Sequence, residues 1–346
     1  MKYPLISVVI ATYNSEKSLG KVLKAVKSQD YPKNKLEIFI IDGGSTDSTL
    51  KIAEKYRCKV FNNPKVDQVY AKHIGYMKAR GEYLLLLDSD EVLENKKSIR
   101  LKAESMQRDS RIKAVISTGL KKPHSYPDIN CYLNEFGDPF SFFMYRNSKD
   151  PKFFISELKS GYVIVSEDKS RVTFDFSVSP DPPFIELTAM GVMVNLKYIR
   201  SVIPSVFKNA PIHTHLFYLL NTRGNLFSVM KHDSIVHYSV SNLTNYLKKI
   251  RSRIRSNIYG TGMGEAGFKG REKYHRRWYK LKKFLFLPYT LSLILPFTDS
   301  AILSINRKKL VYFVHVFLCL YTLLLIIFYY TLKLLGIKTK LRGYGE

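Results

Sequence analysis

Five consecutive apolar residues, Tyr83 to Leu87, end in the acidic sequence Asp88-Ser89-Asp90. An uninterrupted apolar run of this length is typical of a buried strand and is too short for a helix. At the tip of a strand, carboxylates at positions i and i+2 can aim their oxygens at one point, as a hard divalent cation requires. The alternative is an acidic turn that caps the next helix.

Strand and helix patterns alternate on both sides of this feature. Apolar, β-rich runs cover 5–11, 36–41, 59–61 and 83–87, and helical patterns cover about 16–28, 48–56 and 68–79. This alternation indicates parallel βαβ units and an α/β fold. No GxGxxG or GxxxxGK[ST] sequence occurs, so neither a dinucleotide-binding fingerprint nor a P-loop explains the sheet.

Polar clusters follow three of the predicted strands, so we expect them on one edge of the sheet. A carboxylate there can hydrogen-bond a base or ribose, while a metal beyond it holds a diphosphate. Asp42 with its two glycines also suits a simple tight turn. The clusters are Thr12-Tyr13-Asn14, Asp42-Gly43-Gly44 and Asp88-Ser89-Asp90.

The N-terminal region resembles the nucleotide-sugar half of a family 2 glycosyltransferase with the GT-A fold. The resemblance rests on Val8 to Asn14, Ile41 to Asp47, Ala79 to Tyr83 and Leu87 to Asp90. It implies a UDP-, GDP- or dTDP-sugar donor, with Asp42 on the nucleobase or ribose. It also implies that Asp88 and Asp90 hold the diphosphate through Mn²⁺ or Mg²⁺. The implied nucleotide-sugar site further includes Thr12, Tyr13, Asn14 and Ser89, and Lys72 as a phosphate or base contact unless it is a solvated helix charge.

The expected organisation has a two-part GT-A domain followed by a helical membrane segment. Residues 111–240 should form the acceptor half, with a strand over 190–195 and a helix over 197–203. The predicted segments are 1–110 (nucleotide-sugar half), 111–240 (acceptor half), 241–283 (basic juxtamembrane segment), 284–336 (membrane-associated helices) and 337–346 (basic tail).

The general base is where the chain departs from the family pattern. Gly224 and His237 fit later landmarks, and counting back from Gly224 places His213 where relatives carry the catalytic Asp. One hypothesis is that His213 or His215 replaces the carboxylate, since a neutral imidazole can act as a base near pH 7. A second is that the acceptor is already anionic, such as a lipid phosphate.

Two further alternatives remain for this position. Another carboxylate, Asp181 or Glu186, could supply the base. Both histidines could instead only pack at the start of a helix.

The chain is strongly basic, with 55 Lys and Arg against 29 Asp and Glu. Such an excess fits nucleic acid, an anionic membrane or a phosphorylated substrate. An apolar C-terminal region follows the basic segment at once, which favours the membrane over nucleic acid. Arg251, Arg253 and Arg255 are candidate ligands for an acceptor or lipid phosphate, and general attraction to anionic lipids is the alternative.

Residues 310–332 contain no Lys, Arg, Asp or Glu and would span roughly 34 Å as a helix. We therefore predict a transmembrane helix there. The apolar stretch 284–305 is interrupted by Pro288, Pro296 and Asp299, which favours a helix in the membrane plane over the first arm of a hairpin. A buried soluble hairpin is the alternative for the whole region. Basic residues flank every segment, so the positive-inside rule does not settle the topology.

The sequence as a whole predicts a metal-dependent inverting glycosyltransferase attached to the cell membrane. The first strand follows the N-terminus directly, so the catalytic domain is expected in the cytoplasm. Three widely spaced cysteines indicate neither a disulfide framework nor a zinc site. The acceptor should be lipid-linked or membrane-proximal, in polysaccharide, glycolipid or protein-glycan assembly, with polyprenyl phosphate as the simplest case. A non-catalytic sugar-nucleotide-binding or scaffold protein is the alternative, and a pyrophosphorylase lacks support because its Gly-rich opening loop is absent.

Overall fold

The computed structural model describes residues 3–260, 268–337 and 339. Its strands are β1 Ile6–Thr12, β2 Leu36–Asp42, β3 Lys59–Asn62, β4 Tyr83–Asp88, β5 Glu91–Leu93, β6 Ile112–Ile116, β7 Gly119–Lys121, β8 Val163–Glu167, β9 Arg171–Asp175, β10 Val192–Asn195, β11 Leu226–Met230 and β12 Ser234–His237. Its α-helices are α1 Glu16–Lys27, α2 Thr49–Lys55, α3 Gln68–Lys78, α4 Ser98–Arg108, α5 Ile129–Phe136, α6 Pro139–Tyr145, α7 Phe154–Gly161, α8 Leu196–Val202, α9 Leu216–Asn221, α10 Leu243–Tyr259, α11 Phe268–Arg271, α12 Arg277–Lys282, α13 Phe286–Leu291, α14 Ile294–Arg307 and α15 Val314–Leu334. Short 3₁₀ helices include Ala210–His215 and Leu310–Phe313.

The chain divides into two compact units. The first contains 1–123 and 150–238, and the second contains 124–149 and 239–346. Residues 124–149 lie within the segment predicted as the acceptor half, yet they pack with the C-terminal helices. Of the predicted basic segments, 261–267 and most of the tail 337–346 lie outside the described residues.

The first unit is built on a large mixed sheet, as the α/β prediction required. Among the described residues nine strands form it, in the order β3-β2-β1-β4-β10-β6-β11-β9-β8. Strands β3, β2, β1 and β4 are parallel, and β10 is antiparallel to both of its neighbours. A second sheet has the order β5-β12-β7. The insertion of β10 between β4 and β6 joins the two predicted halves in one sheet.

Helix α3 lies close against β1 because residue 75 has no side chain. A Cβ on Gly75 would come within 2.3 Å of Val9 Cγ1. Asp67 caps the N-terminus of the helix, and its side chain accepts a hydrogen bond from Tyr70 N at 2.8 Å. These two contacts fix the position of α3 beside the strand ends.

The second unit is helical and contains a buried ion pair. Glu135 is fully buried and lies 2.8 Å from Arg307. It also accepts hydrogen bonds from Ser148 and from Tyr312. Because a buried carboxylate needs such partners, these contacts connect α5 to α14 and to the start of the apolar helix.

One helix in the described part of the chain, Leu310–Leu334, is long and apolar enough to cross a membrane. The helices Arg277–Leu291 and Ile294–Arg307 meet at 90° and pass the same test only when joined. Apolar side chains remain exposed on these helices, including Ile294, Ile305, Leu310, Leu324 and Leu334.

Candidate active site

Thr12, Asp42 and Asp88 end three neighbouring parallel strands at one edge of the sheet. Thr12 is paired with Asp42 across β1 and β2, and Ala11 is paired with Asp88 across β1 and β4. The common edge predicted from the strand ends is therefore present. Ligands of open α/β sheets bind beyond this end of the strands.

Asp42 is buried and organises the loop that follows β2. Its Oδ1 accepts hydrogen bonds from the hydroxyls of Thr12 at 2.8 Å and Ser45 at 2.5 Å. Its Oδ2 accepts from the backbone N–H groups of Gly44 at 2.9 Å and Ser45 at 2.8 Å. The carboxylate therefore holds the Gly-Gly loop in a fixed shape, and its contact with a nucleotide stays a prediction.

Asn14 connects the ends of β1 and β2. Its backbone has φ of 45°, a left-handed conformation that Asn tolerates better than most residues. Its side-chain oxygen accepts from Thr46 N at 2.9 Å, and its own N–H donates to Ser45 Oγ at 2.9 Å. Tyr13, the residue before it, is half-buried. The polar cluster after β1 thus shapes the loop after β2.

Asp88 has a buried lysine as its partner. Lys72 Nζ lies 2.8 Å from Asp88 Oδ1, and Gln68 Nε2 donates to the same oxygen at 2.7 Å. The alternative that Lys72 is a solvated helix charge is wrong, because its side chain is 3% exposed. The next residue, Ser89, has its Oγ 2.9 Å from Ser15 Oγ.

Asp90 and Glu91 contact residues from distant parts of the first unit. Asp90 Oδ2 lies 3.3 Å from His237 Nε2 on β12. Glu91 is buried and accepts from the N–H groups of Asp88 at 3.2 Å and Met190 at 2.8 Å. Burial, together with the nearby charge of Asp88, raises the pKa of Glu91.

The donor atoms at this edge fit Mn²⁺ or Mg²⁺ chemically. Asp88 and Asp90 supply carboxylate oxygens, and His237 supplies an imidazole next to Asp90. In residues 3–260, 268–337 and 339, no three His, Cys, Asp or Glu side chains form a complete metal site by themselves. Mg²⁺ is commonly bound by one or two carboxylates together with water and substrate phosphates. The two aspartates would therefore need oxygens from a diphosphate.

His213 is enclosed by aromatic side chains. Its Nε2 lies 3.0 Å from His73 Nδ1, and its ring centroid lies 4.3 Å from that of Tyr76. Burial and the adjacent His73 lower the pKa of His213 to about 3. Since a good general base has a pKa near the working pH, these surroundings favour the packing alternative for His213.

The other base candidates differ in burial. His215, on the same 3₁₀ helix as His213, is also buried, whereas Asp181 and Glu186 are half-buried. All of these assignments stay predictions.

The three arginines proposed for phosphate binding lie on α10 of the second unit. Arg251 Nε donates to Tyr329 OH at 3.0 Å, and Arg253 donates to the carbonyl of Gly137 at 3.1 Å. These two side chains stabilise packing within the unit. Arg255 is half-buried. Binding of an acceptor phosphate by any of the three stays a prediction.

The parallel half-sheet and its acidic strand ends define an α/β domain of the GT-A type. Residues 7–155 match the family model described as Glycosyl transferase family 2. This match confirms the resemblance of residues 7–155 to family 2 glycosyltransferases that the motifs predicted.

Two curated relatives share this region. Over 102 residues the chain is 38% identical to poly(ribitol-phosphate) beta-N-acetylglucosaminyltransferase TarS of Staphylococcus aureus, covering 27% of this chain and 17% of TarS. Over 88 residues it is 39% identical to dolichyl N-acetyl-alpha-D-glucosaminyl phosphate 3-beta-D-2,3-diacetamido-2,3-dideoxy-beta-D-glucuronosyltransferase of Methanococcus voltae, covering 23% of this chain and 27% of that enzyme. The alignments thus span less than a third of either relative.

A solved structure resembles more of the chain. It is the mannosyltransferase PcManGT from Pyrobaculum calidifontis, in complex with GDP-Man and Mn²⁺. The match covers 94% of this chain and 88% of the PcManGT chain. The TM-score is 0.51 and the sequence identity 12%. This similarity shows the fold alone.

The partners of the acidic residues were not predicted from the sequence. His237 was identified only as a landmark, and Glu91 only as the end of the acidic stretch. A signal for Glu91 existed, because a third carboxylate directly after Asp88-Ser89-Asp90 has like charges beside it, and these raise its pKa.

Proposed function

We propose that the chain is an inverting glycosyltransferase that moves a sugar from a nucleotide-sugar donor to a lipid-linked or membrane-proximal acceptor. The observation that carries the proposal is the single sheet edge at which Thr12, Asp42 and Asp88 meet in a family 2 domain. Asp42 and the loop it organises would bind the nucleoside. Asp88 and Asp90 would face the diphosphate.

The reaction needs an acceptor oxygen that attacks the anomeric carbon while the nucleoside diphosphate leaves. A bound Mn²⁺ or Mg²⁺, held by Asp88 and Asp90, would stabilise the negative charge of the leaving diphosphate. Lys72 places a further positive charge beside Asp88. The residues of this chain would thus position the donor and balance its charge.

A phosphate acceptor, as in polyprenyl-phosphate glycosyltransferases, is favoured by the environment of His213. Burial lowers the pKa of His213 to about 3, which leaves a weak base at the position where relatives carry a carboxylate. A phosphate oxygen is already anionic and needs no base. The names of the two relatives contain a phosphate-linked substrate, poly(ribitol-phosphate) in one and a dolichyl-linked sugar phosphate in the other, which supports a phosphate-linked acceptor in general and not a phosphate oxygen as the attacking atom.

Membrane attachment is part of the proposal. It is supported by the apolar helix Leu310–Leu334 and by the exposed apolar side chains of α13 and α14. Cys58, Cys131 and Cys319 are free thiols, which suits a reducing compartment. The proposal therefore includes attachment to the cell membrane, with the catalytic domain on the cytoplasmic side.

Incubation of the full chain in lipid vesicles with labelled UDP- or GDP-sugars and Mn²⁺, followed by lipid extraction, tests this function. We expect label in the lipid fraction, and no label with the Asp90→Asn variant. The matched control is Asp30→Asn, because the Asp30 side chain is 53% exposed and remote in sequence from the strand ends. Label only in water-soluble glycans would contradict the lipid acceptor, and absence of any sugar-nucleotide binding would favour the scaffold alternative.

A further inference from the structure

The ammonium group of Lys72 contacts Asp88, one of the two carboxylates proposed to hold the donor's metal. Lys72 Nζ and Gln68 Nε2 both contact Asp88 Oδ1, at 2.8 and 2.7 Å. Both donors come from α3, one helical turn apart. The same oxygen therefore has two hydrogen-bond donors in place before any metal or nucleotide arrives.

Lys72 cannot easily move away from this position. Its side chain is 3% exposed, so water cannot replace Asp88 as its partner. Its helix is capped by Asp67 and held against β1 at Gly75, where even a Cβ would meet Val9. A divalent cation bound to Asp88 would thus lie within a few ångströms of a fixed ammonium group, and like charges at that distance repel strongly.

A nucleoside diphosphate removes this conflict because its oxygens can contact both cations. Its phosphate oxygens would supply anionic partners to the metal and to the Lys72 ammonium group. From this geometry we infer that Lys72 couples the two ligands, weakening divalent-metal binding to the empty site and making it favourable once a nucleoside diphosphate is bound. The inference rests on the proposed donor site and adds to it a reciprocal coupling between the two ligands, for which Lys72 is responsible.

Calorimetric titration of Mn²⁺ into the full chain, without and with UDP or GDP, tests the coupling without measuring activity. Binding of Mn²⁺ by free nucleotide is measured separately and subtracted, and the Asp90→Asn variant reports Mn²⁺ bound elsewhere. For wild type we expect the nucleotide to raise Mn²⁺ affinity by about 10-fold or more, and Mn²⁺ to raise nucleotide affinity by the same factor.

The Lys72→Met variant keeps most of the side-chain volume and removes the charge. It should bind Mn²⁺ alone about 10-fold more tightly than wild type and lose most of the coupling factor. Lys72→Gln, which keeps a donor but no charge, should behave in the same way. Lys78→Met is the matched control, because Lys78 is exposed at the end of the same helix and should leave both affinities unchanged.

The outcomes separate this inference from the proposed function. If wild type binds UDP or GDP with Mn²⁺ but the Lys72 variants keep the wild-type coupling factor, or bind Mn²⁺ alone more weakly, the inference is wrong and the donor site stands. Should wild type bind both ligands independently, the inference fails without any variant. If wild type binds neither nucleotide in the presence of Mn²⁺, both the inference and the proposed function are overturned.

Discussion

Lys102 and Asp233 form an ion pair that is completely buried in the first unit. The Lys102 Nζ lies 2.9 Å from Asp233 Oδ2, and both side chains are 0% exposed. Lys102 also donates to Ser98 and Ser117. A Cβ on Gly191 would lie 3.3 Å from the same nitrogen, so the pair lies directly beneath the turn that precedes β10.

We predict that Lys102→Met strongly destabilises the protein. Methionine fills most of the lysine's volume, but the Asp233 carboxylate is left buried without its counter-charge. Removing one partner of a buried ion pair costs roughly 3–5 kcal/mol of unfolding free energy. At roughly 2–4 °C per kcal/mol for a unit of this size, the melting temperature should fall by roughly 6–20 °C.

Thermal melting of the full chain in one detergent, followed by circular dichroism, measures this loss. The double variant Lys102→Met/Asp233→Asn leaves no unpaired charge and should recover at least half of it. Lys121→Met is the matched control, because it removes the exposed pair with Glu94 and should cost no more than about 1 kcal/mol. If the double variant is no more stable than Lys102→Met, lost packing and not the unpaired charge explains the effect, and the electrostatic reasoning is refuted.

Three further outcomes are expected. Because the pKa of His213 is lowered from 6.5 to about 3, folding stability is lost as pH falls below 6.5. The stability advantage of wild type over His213→Gln should therefore shrink by roughly 2.5 kcal/mol between pH 7 and pH 4.5 in urea titrations. Gly75→Ala should cost about 1–3 kcal/mol in the same assay because its Cβ would lie 2.3 Å from Val9 Cγ1, and adding Val9→Ala should restore part of that loss. Trp278, the only tryptophan and 63% exposed, should be quenched more by lipids brominated near the headgroup than by lipids brominated at the chain ends, whereas equal fluorescence with and without vesicles would contradict an interfacial position.

The donor side of the fold could be predicted because each of its strands is a local pattern. The run 83–87 predicted β4 Tyr83–Asp88, and 36–41 predicted β2 Leu36–Asp42, each within one residue. Parallel connection then places the ends of these strands together without further information. The strand predicted over 190–195 is shorter, β10 Val192–Asn195. Its antiparallel position depends on pairing with β4 across more than a hundred residues of sequence and with β6 across about 80.

The helical unit was harder to predict because its packing is non-local. The aromatic segment 124–149 shows no pattern that distinguishes an acceptor loop from a partner of the C-terminal helices. Its assignment depends on contacts such as Tyr132 OH with His315 Nδ1 at 2.5 Å and Glu135 with Arg307 at 2.8 Å. These contacts join residues more than 150 positions apart, and hydrophobic periodicity carries no information about such pairs.

The net charge of +26 is spread over the chain, and only a small part of it lies beside Asp88 and Asp90, where the donor is proposed to bind. Exposed charges are screened over about 8 Å at physiological salt, so the basic segment near α10 to α12 is suited to an adjacent anionic surface. At the strand ends, Lys72 and His237 each contact one carboxylate, at 2.8 and 3.3 Å. Asp88 and Asp90 thus already have basic partners, and on the proposed function these contacts are the reason why a metal cation and a diphosphate would bind better together than either would alone. Composition gives no information about these two local contacts, because both depend on the fold.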